Sequence, residues 1–302
     1  MVKQVIRSED ELNQKEQNDS ESKKKRGRGR PKGSKNKNKA DAPLPPHLCF
    51  IQSMLKKVQS LIGTTIPIKY AVLDGAFGNN NAVQMILRCD MHIISKLKRI
   101  SALYFPYTGP YSGRGTRRKY GDKLDYNNIP CEYLKETTLE GWIRTEIYQM
   151  TMLSKSFARK LNVVVIVKTN LKTGTRTHVI LFSSDPDLDY AKLIDYYKLR
   201  FQIEFNFRDA KQYWGLGDFM NVNKIPIDNA VNLAFFMVNV SHALIAGVRR
   251  YNPSFSVQDL KAYFRGSRYV RETLKLLPQK PDPILIQEIF YTITKIGSIN
   301  VG

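Results

Sequence analysis

Ile66-Pro-Ile-Lys-Tyr70-Ala-Val-Leu-Asp74-Gly-Ala-Phe-Gly78-Asn-Asn-Asn-Ala-Val-Gln-Met-Ile-Leu-Arg88 is the stretch that decides the fold. Ile66 to Asp74 predicts a strand, and its centre, Tyr70-Ala-Val-Leu73, is apolar enough for burial on both faces. Gly75-Ala-Phe-Gly78 predicts a turn. Asn79 to Arg88 predicts a helix with Asn79 or Asn80 as N-cap. His92-Ile-Ile-Ser-Lys-Leu97 is a further short strand. Strand, turn, helix and strand in this order predict an α/β core. Asp74 then stands at the carboxyl end of a strand, where α/β sheets place their ligands. A carboxylate fixed there can hold a metal ion; an Asp before Gly can equally begin a turn.

On the N-terminal side, Ile51, Met54, Leu55, Val58, Leu61 and Ile62 form one apolar helical face. Residues 1–46 are polar and charged, ending in Pro43-Leu-Pro45-Pro46. They predict a disordered tail, because they cannot bury enough surface to offset ordering. On the C-terminal side, residues 100–182 predict a β-rich insertion, with strands at Tyr104 to Tyr107, Ile143 to Met150, Leu161 to Lys168 and His178 to Phe182. Asn170-Leu-Lys-Thr-Gly174 predicts a hairpin turn. Gly- and cation-rich loops such as Tyr107 to Arg118 lie between strands. One long helix is expected over Asp187 to Trp214, and an apolar core helix over Asn229 to Arg250. Short helices follow at Val257 to Tyr263, Val270 to Leu277 and Pro283 to Lys295. The organisation read from this is a tail (1–46), a first core part (47–99), the insertion (100–182), a second core part (183–250) and C-terminal helices (251–302).

The chain of 302 residues carries a net charge of +21 and has a pI near 9.8, which favours a polyanionic partner. No uninterrupted apolar run of membrane-spanning length is present, and Asn232, Asn239, Ser241 and His242 interrupt the most apolar segment, so no membrane association is expected. Cys49, Cys89 and Cys131 are odd in number and widely spaced, which argues against a disulfide framework. No P-loop, dinucleotide-binding glycine pattern or Ser/His/Asp order appears.

Chemistry concentrates in Tyr197-Lys-Leu-Arg200-Phe-Gln-Ile-Glu204-Phe-Asn-Phe-Arg208-Asp-Ala-Lys211. On a continuous α-helix Tyr197, Arg200, Glu204 and Lys211 fall within roughly 60° of one another. Leu188, Leu199, Ile203, Phe205 and Phe207 occupy most other directions, which predicts a buried helix presenting one polar stripe. Glu204 and Asp74 could share divalent ions, Mg²⁺ or Mn²⁺. Arg200 and Lys211 could hold phosphates. The alternative is that Arg200 and Glu204 form a surface ion pair of a few tenths of a kcal/mol.

The spacing Tyr-x2-Arg-x3-Glu-x6-Lys resembles the signature of a large group of bacterial insertion-sequence transposases of the DDE class. Val72-Leu-Asp74-Gly-Ala-Phe77-Gly78-Asn resembles that group's second catalytic Asp motif. The resemblance spans roughly residues 47–250. It implies an RNase H-like core interrupted by the β-rich insertion, and metal-dependent DNA cleavage followed by strand transfer. By the same resemblance, Asp74 and Glu204 are catalytic metal ligands, and Arg200 and Lys211 hold phosphates at the element end, supported by Tyr197. It further implies double-stranded DNA as partner, a homodimer bridging two ends, and a cytoplasmic, nucleoid-associated place. Trp142 in the insertion could stack on an extruded base or be core.

Lys25-Arg26-Gly27-Arg28-Gly29-Arg30-Pro31-Lys32 resembles an AT-hook, whose Arg28 and Arg30 would enter a narrow minor groove. A solvated polybasic linker is the competing reading. The chain departs from the family pattern at the first catalytic Asp. Upstream of Asp74 only Asp10, Asp19 and Asp41 occur, all in the polar tail. The expectation is a truncated copy with little or no cleavage activity of its own. A non-catalytic DNA-binding remnant and an RNase H-like repair nuclease are the competing functions.

Overall fold

The computed structural model describes residues 39–111, 113–220, 222–279 and 281–300. Arg28, Arg30 and most of the expected disordered tail lie outside them. The described chain divides into two compact units, one reaching Phe201 and the other starting at Gln202.

In the first unit, β1 (Tyr70–Val72) pairs in parallel with β2 (His92–Leu97). They are joined by a 3-10 turn (Gly75–Phe77) and helix α2 (Asn80–Leu87), the expected strand–turn–helix–strand order. Asn79 caps α2, its side chain accepting from Ala82 N–H. Two further strands, β3 (Tyr104–Pro106) and β4 (Tyr120–Lys123), form a small sheet of their own. β5 (Leu134–Glu140), β6 (Ile143–Met152), β7 (Leu161–Asn170) and β8 (Arg176–Ser183) follow as an antiparallel meander. β8 then pairs antiparallel with β2. The resulting mixed sheet has the order β1-β2-β8-β7-β6-β5.

The segment expected as an insertion is β-rich, but four of its strands extend the core sheet instead of standing apart. The reason lies in β2. Ile93 and Ile94 are both fully buried, so both faces and the second edge of β2 need cover. Ile180, Leu181 and Phe182 of β8 supply it. The 170–174 hairpin turn forms as expected, closed by Gly174 N–H to Asn170 O at 2.8 Å.

Alternation divides the core. Ile93, Val163, Val165, Ile180 and Phe182 pack on one face with Val83 and Ile86 of α2 and Leu48 of α1 (Pro46–Ile62). Ile94, Val164 and Leu181 pack on the other with Leu193 of α3 (Tyr190–Lys198). Each such side chain contributes about 1.5–3 kcal/mol relative to exposure. α1 commits less of its predicted face than expected. Ile51 and Leu55 reach the core, whereas Met54, Val58, Leu61 and Ile62 are exposed.

β1 is shorter than expected and only partly buried, because it is an edge strand with one neighbour. A side-chain tie holds its start. Tyr70 Oη donates to Asp185 Oδ2 at 2.5 Å, and Lys69 Nζ lies 3.2 Å from the same oxygen. Burial raises the Asp185 pKa, but the bonds from Tyr70, Asp187 N–H and Lys69 outweigh it and hold the carboxyl below its ordinary range.

The second unit is helical: α4 (Gln202–Trp214), α5 (Lys224–Val248), α6 (Val257–Leu276) and α7 (Pro283–Lys295). Ala210 of α4 meets Ala234 and Val238 of α5. The expected core helix α5 buries only the stripe Ala234, Val238, Ser241 and Ile245, while Leu233, Phe236 and Leu244 are exposed. By length and composition α5 is long and apolar enough to cross a membrane, a test that the core helix of a soluble protein also passes.

Val257 to Leu276 is one helix where two were expected. Gly266, between the two expected segments, marks a close approach. A Cβ there would lie 2.8 Å from Ile293 O and 3.0 Å from Thr294 Cα, both backbone atoms of α7. Gly266→Ala is therefore expected to lose about 1–3 kcal/mol of stability, overcoming the roughly 1 kcal/mol gain in helix propensity. Chemical denaturation measures it; unchanged stability would mean that α7 can retreat at no cost.

Candidate active site

Asp74 sits where a strand end can hold it rigidly. Leu73 N–H donates to Ile94 O at 2.9 Å, and Asp74 O accepts from Ser95 Oγ at 2.8 Å. Ser95 is fully buried, so backbone on both sides of the carboxylate is tied to the sheet. Ser95 was not singled out in the sequence; its only signal there is a hydroxyl inside an apolar strand. Asp74 Oδ1 accepts from Gly75 N–H at 2.7 Å and caps the 3-10 turn. The turn-forming role is thus real, and Asp74 remains exposed at the carboxyl end of β1. Gly78 is required by packing: a Cβ would fall 2.3 Å from Lys96 O.

Tyr197, near the end of α3, packs beside Ile94, Val164 and Leu193. Its phenol feels Arg200 and Asp74 together. Burial raises its pKa, Asp74 pushes it the same way, and the Arg200 guanidinium opposes them through charge and a hydrogen bond; the net shift is upward. Asp74, more than 120 residues away in sequence, thus influences Tyr197 electrostatically within the first unit. Arg200 also lies with its Cζ 4.5 Å from the Phe201 ring centroid.

The expected continuous helix is interrupted. Leu199–Phe201 forms a 3-10 turn between α3 and α4. Leu199 N–H, shared among the carbonyls of Asp195, Tyr196 and Tyr197, marks the tightening. The four polar residues are divided between the two units. Tyr197 and Arg200 belong to the first unit with Asp74; Glu204 and Lys211 belong to the second. Glu204 and Lys211, seven residues apart within α4, still share one face, about 10 Å apart along the axis. Both are exposed.

Burial of the helix does not hold either. Leu199, Phe201, Ile203, Phe205 and Phe207 are all exposed, and only Asp209 and Ala210 of α4 are buried. Trp142 is 66% exposed at the turn between β5 and β6, which removes the core reading. Among the described residues no three His, Cys, Asp or Glu side chains cluster to hold a metal ion. Those residues therefore do not by themselves complete a divalent-ion site.

Residues 10–152, just under half of the chain, match the family model described as DDE superfamily endonuclease. No curated protein matches the chain. The matched span includes Asp74 and stops before Tyr197. It supports a DDE-class, transposase-like family, whose members generally use divalent metal ions and act on DNA. The mixed α/β architecture with its mixed sheet is consistent with a DDE or RNase H-like nuclease fold.

Proposed function

We propose that this chain is an insertion-sequence transposase polypeptide that binds element-end duplex DNA. The proposal is supported by Asp74, whose backbone is tied to the sheet just past the carboxyl end of edge strand β1, and by its electrostatic influence, with that of Arg200, on the Tyr197 phenol. Arg200 would grip a phosphate through parallel N–H donors. Tyr197, a phenol that is protonated near neutral pH in any case, would donate its O–H to the same group. Asp74 and Glu204 are proposed as carboxylates for Mg²⁺ or Mn²⁺, with a further ligand from outside the described residues. Such an ion, when bound, supplies an activated water or 3′-hydroxyl and stabilises the leaving oxygen. Lys211 would hold a second phosphate, and dimerisation would bring two ends together.

A second reading, a DNA-binding protein that does not cut, is favoured by the lack of a three-ligand cluster among the described residues. Plasmid nicking in Mg²⁺, in Mn²⁺ and in chelator separates the two. Metal-dependent nicking that requires Asp74 supports the enzyme; binding without nicking supports the second reading.

A further inference from the structure

A cationic ribbon projects from the first unit and has no part in the site above. Between Asp90 and Asp122 the sequence holds seven Lys or Arg and no Asp or Glu. Four of these cations, Arg114, Arg117, Arg118 and Lys119, lie in the connection between β3 and β4. The base of that connection is firm. Leu103 and Leu124 are buried, Leu124 N–H donates to Leu103 O at 2.9 Å, and Tyr104 exchanges two 2.8 Å backbone bonds with Leu153. Pairing closes at Tyr107 N–H to Lys119 O, 3.1 Å, and the described residues beyond it are exposed.

Two of these cations rest on aromatic faces. Arg118 Cζ lies 4.7 Å from the Tyr107 ring centroid and Arg117 Cζ 5.6 Å from that of Tyr111. Such stacking orients a guanidinium while leaving N–H groups free to donate. The tip is slim. Gly113 and Gly115 have φ of +78° and +76°, and a Cβ at either would meet nothing within 4 Å. Tyr111 Oη donates to Gly115 O at 2.7 Å and closes the tip beneath Arg114. Arg114 thus stands exposed between two residues without side chains. The tail carries the same Gly-Arg-Gly sequence at residues 27–29.

We propose that this β3–β4 arm inserts Arg114 into the minor groove of duplex DNA, with Arg117 and Lys119 on the flanking phosphates. The minor groove is only about 6 Å wide, and the glycines on either side of Arg114 reduce the bulk that must enter with it. Its negative potential is strongest where A·T-rich sequence narrows it, the setting that favours an inserted arginine. The arm also borders the catalytic reading. Tyr104, at its base, lines a cleft of about 600 Å³ whose other wall includes Gly75, Gly78 and Asn79 of the turn that Asp74 caps. Duplex held by the arm would therefore run beside Asp74. The inference rests on the DNA-binding part of the proposed function and not on cleavage.

The test uses the full chain with Arg28→Ala and Arg30→Ala in the tail, so that the arm alone can report on the minor groove. Affinity is measured by fluorescence anisotropy on A·T-rich and G·C-rich duplexes of equal length, over a range of salt. Arg114→Ala is expected to weaken binding to the A·T-rich duplex about tenfold and to the G·C-rich duplex less than about threefold. Arg114→Lys, which keeps the charge, is expected to lose most of that preference. A minor-groove ligand should displace the parent chain and leave the Arg114→Ala chain little affected. Equal losses on both duplexes, with a salt slope lower by about one, would reduce Arg114 to a phosphate contact and overturn the proposal. An unchanged Arg114→Lys would do the same. Asp74-dependent nicking, read separately, is untouched by either failure.

Discussion

The Asp74→Asn chain is expected to nick duplex DNA in Mg²⁺ or Mn²⁺ at least about 10³-fold more slowly than its parent, a loss of about 4 kcal/mol in transition-state stabilisation. Its DNA affinity should change less than about threefold. Asn is chosen over Ala for a structural reason. Oδ1 of Asp74 caps the 3-10 turn through Gly75 N–H, and an Asn side-chain oxygen can accept the same bond. The backbone ties, Leu73 N–H to Ile94 O and Ser95 Oγ to Asp74 O, do not involve the side chain. Asp74→Asn therefore preserves the turn and removes the charge. If nicking survives, Asp74 is a cap and nothing more.

The second large effect concerns stability. Asp259 is fully buried in α6, yet its carboxylate is ionised by design of its surroundings. It accepts from Ser256 N–H at 2.9 Å and Ser256 Oγ at 2.7 Å, from Ile299 N–H at 2.6 Å and Asn300 N–H at 3.1 Å, and from Asn300 Nδ2 at 3.0 Å. One side chain thus closes the capping box of α6 and clamps the chain forty residues on. Burial raises the Asp259 pKa, but these hydrogen bonds more than reverse it, so the carboxyl is held far below its ordinary range. Asp259→Ala strands several donors and is expected to cost about 3 kcal/mol. The linkage has a defined sign. The folded-state pKa is depressed, so the stabilisation is complete above the unfolded value of about 3.9 and declines as pH falls below it. Denaturation midpoints of the parent should therefore drop between about pH 4 and pH 2, and those of Asp259→Ala should drop less over the same window. Parallel acid profiles would show that Asp259 does not control this transition.

Much of the first unit was legible in the sequence because its signals are local. Asn79 capping α2, the strand His92–Leu97 and the 170–174 turn follow from residue chemistry within a few positions. Partners across the sheet were not legible. That β8 covers the second edge of β2 depends on which of several Val- and Ile-rich strands fits, and pattern alone does not rank them. The continuity of α6 through Gly266 was not legible for a related reason: the α7 backbone that packs against that glycine lies about thirty residues away in sequence. The polar stripe was partly legible. The spacing picked out Tyr197, whose phenol feels both Arg200 and Asp74, but periodicity assumes one continuous α-helix, and the 3-10 turn at Leu199–Phe201 is invisible to it. The exposed Phe201, Phe205 and Phe207 expose the same weakness. An all-round apolar helix implies that something covers it, without implying that this chain's described residues do so.

The measurement that bears most directly on the proposed roles of Tyr197 and Arg200 is photo-crosslinking of the full chain to 5-iodouracil-substituted duplex DNA, with the modified peptides mapped by mass spectrometry. The photoprobe reacts with aromatic side chains at van der Waals range, and it reports whether or not the chain cuts. A DNA phosphate held by Arg200 brings a neighbouring base to the Tyr197 ring. The expected result is an adduct on Tyr197 that weakens strongly in Arg200→Ala. Adducts confined to the arm tyrosines, with Tyr197 unmodified at every probe position, would contradict the account.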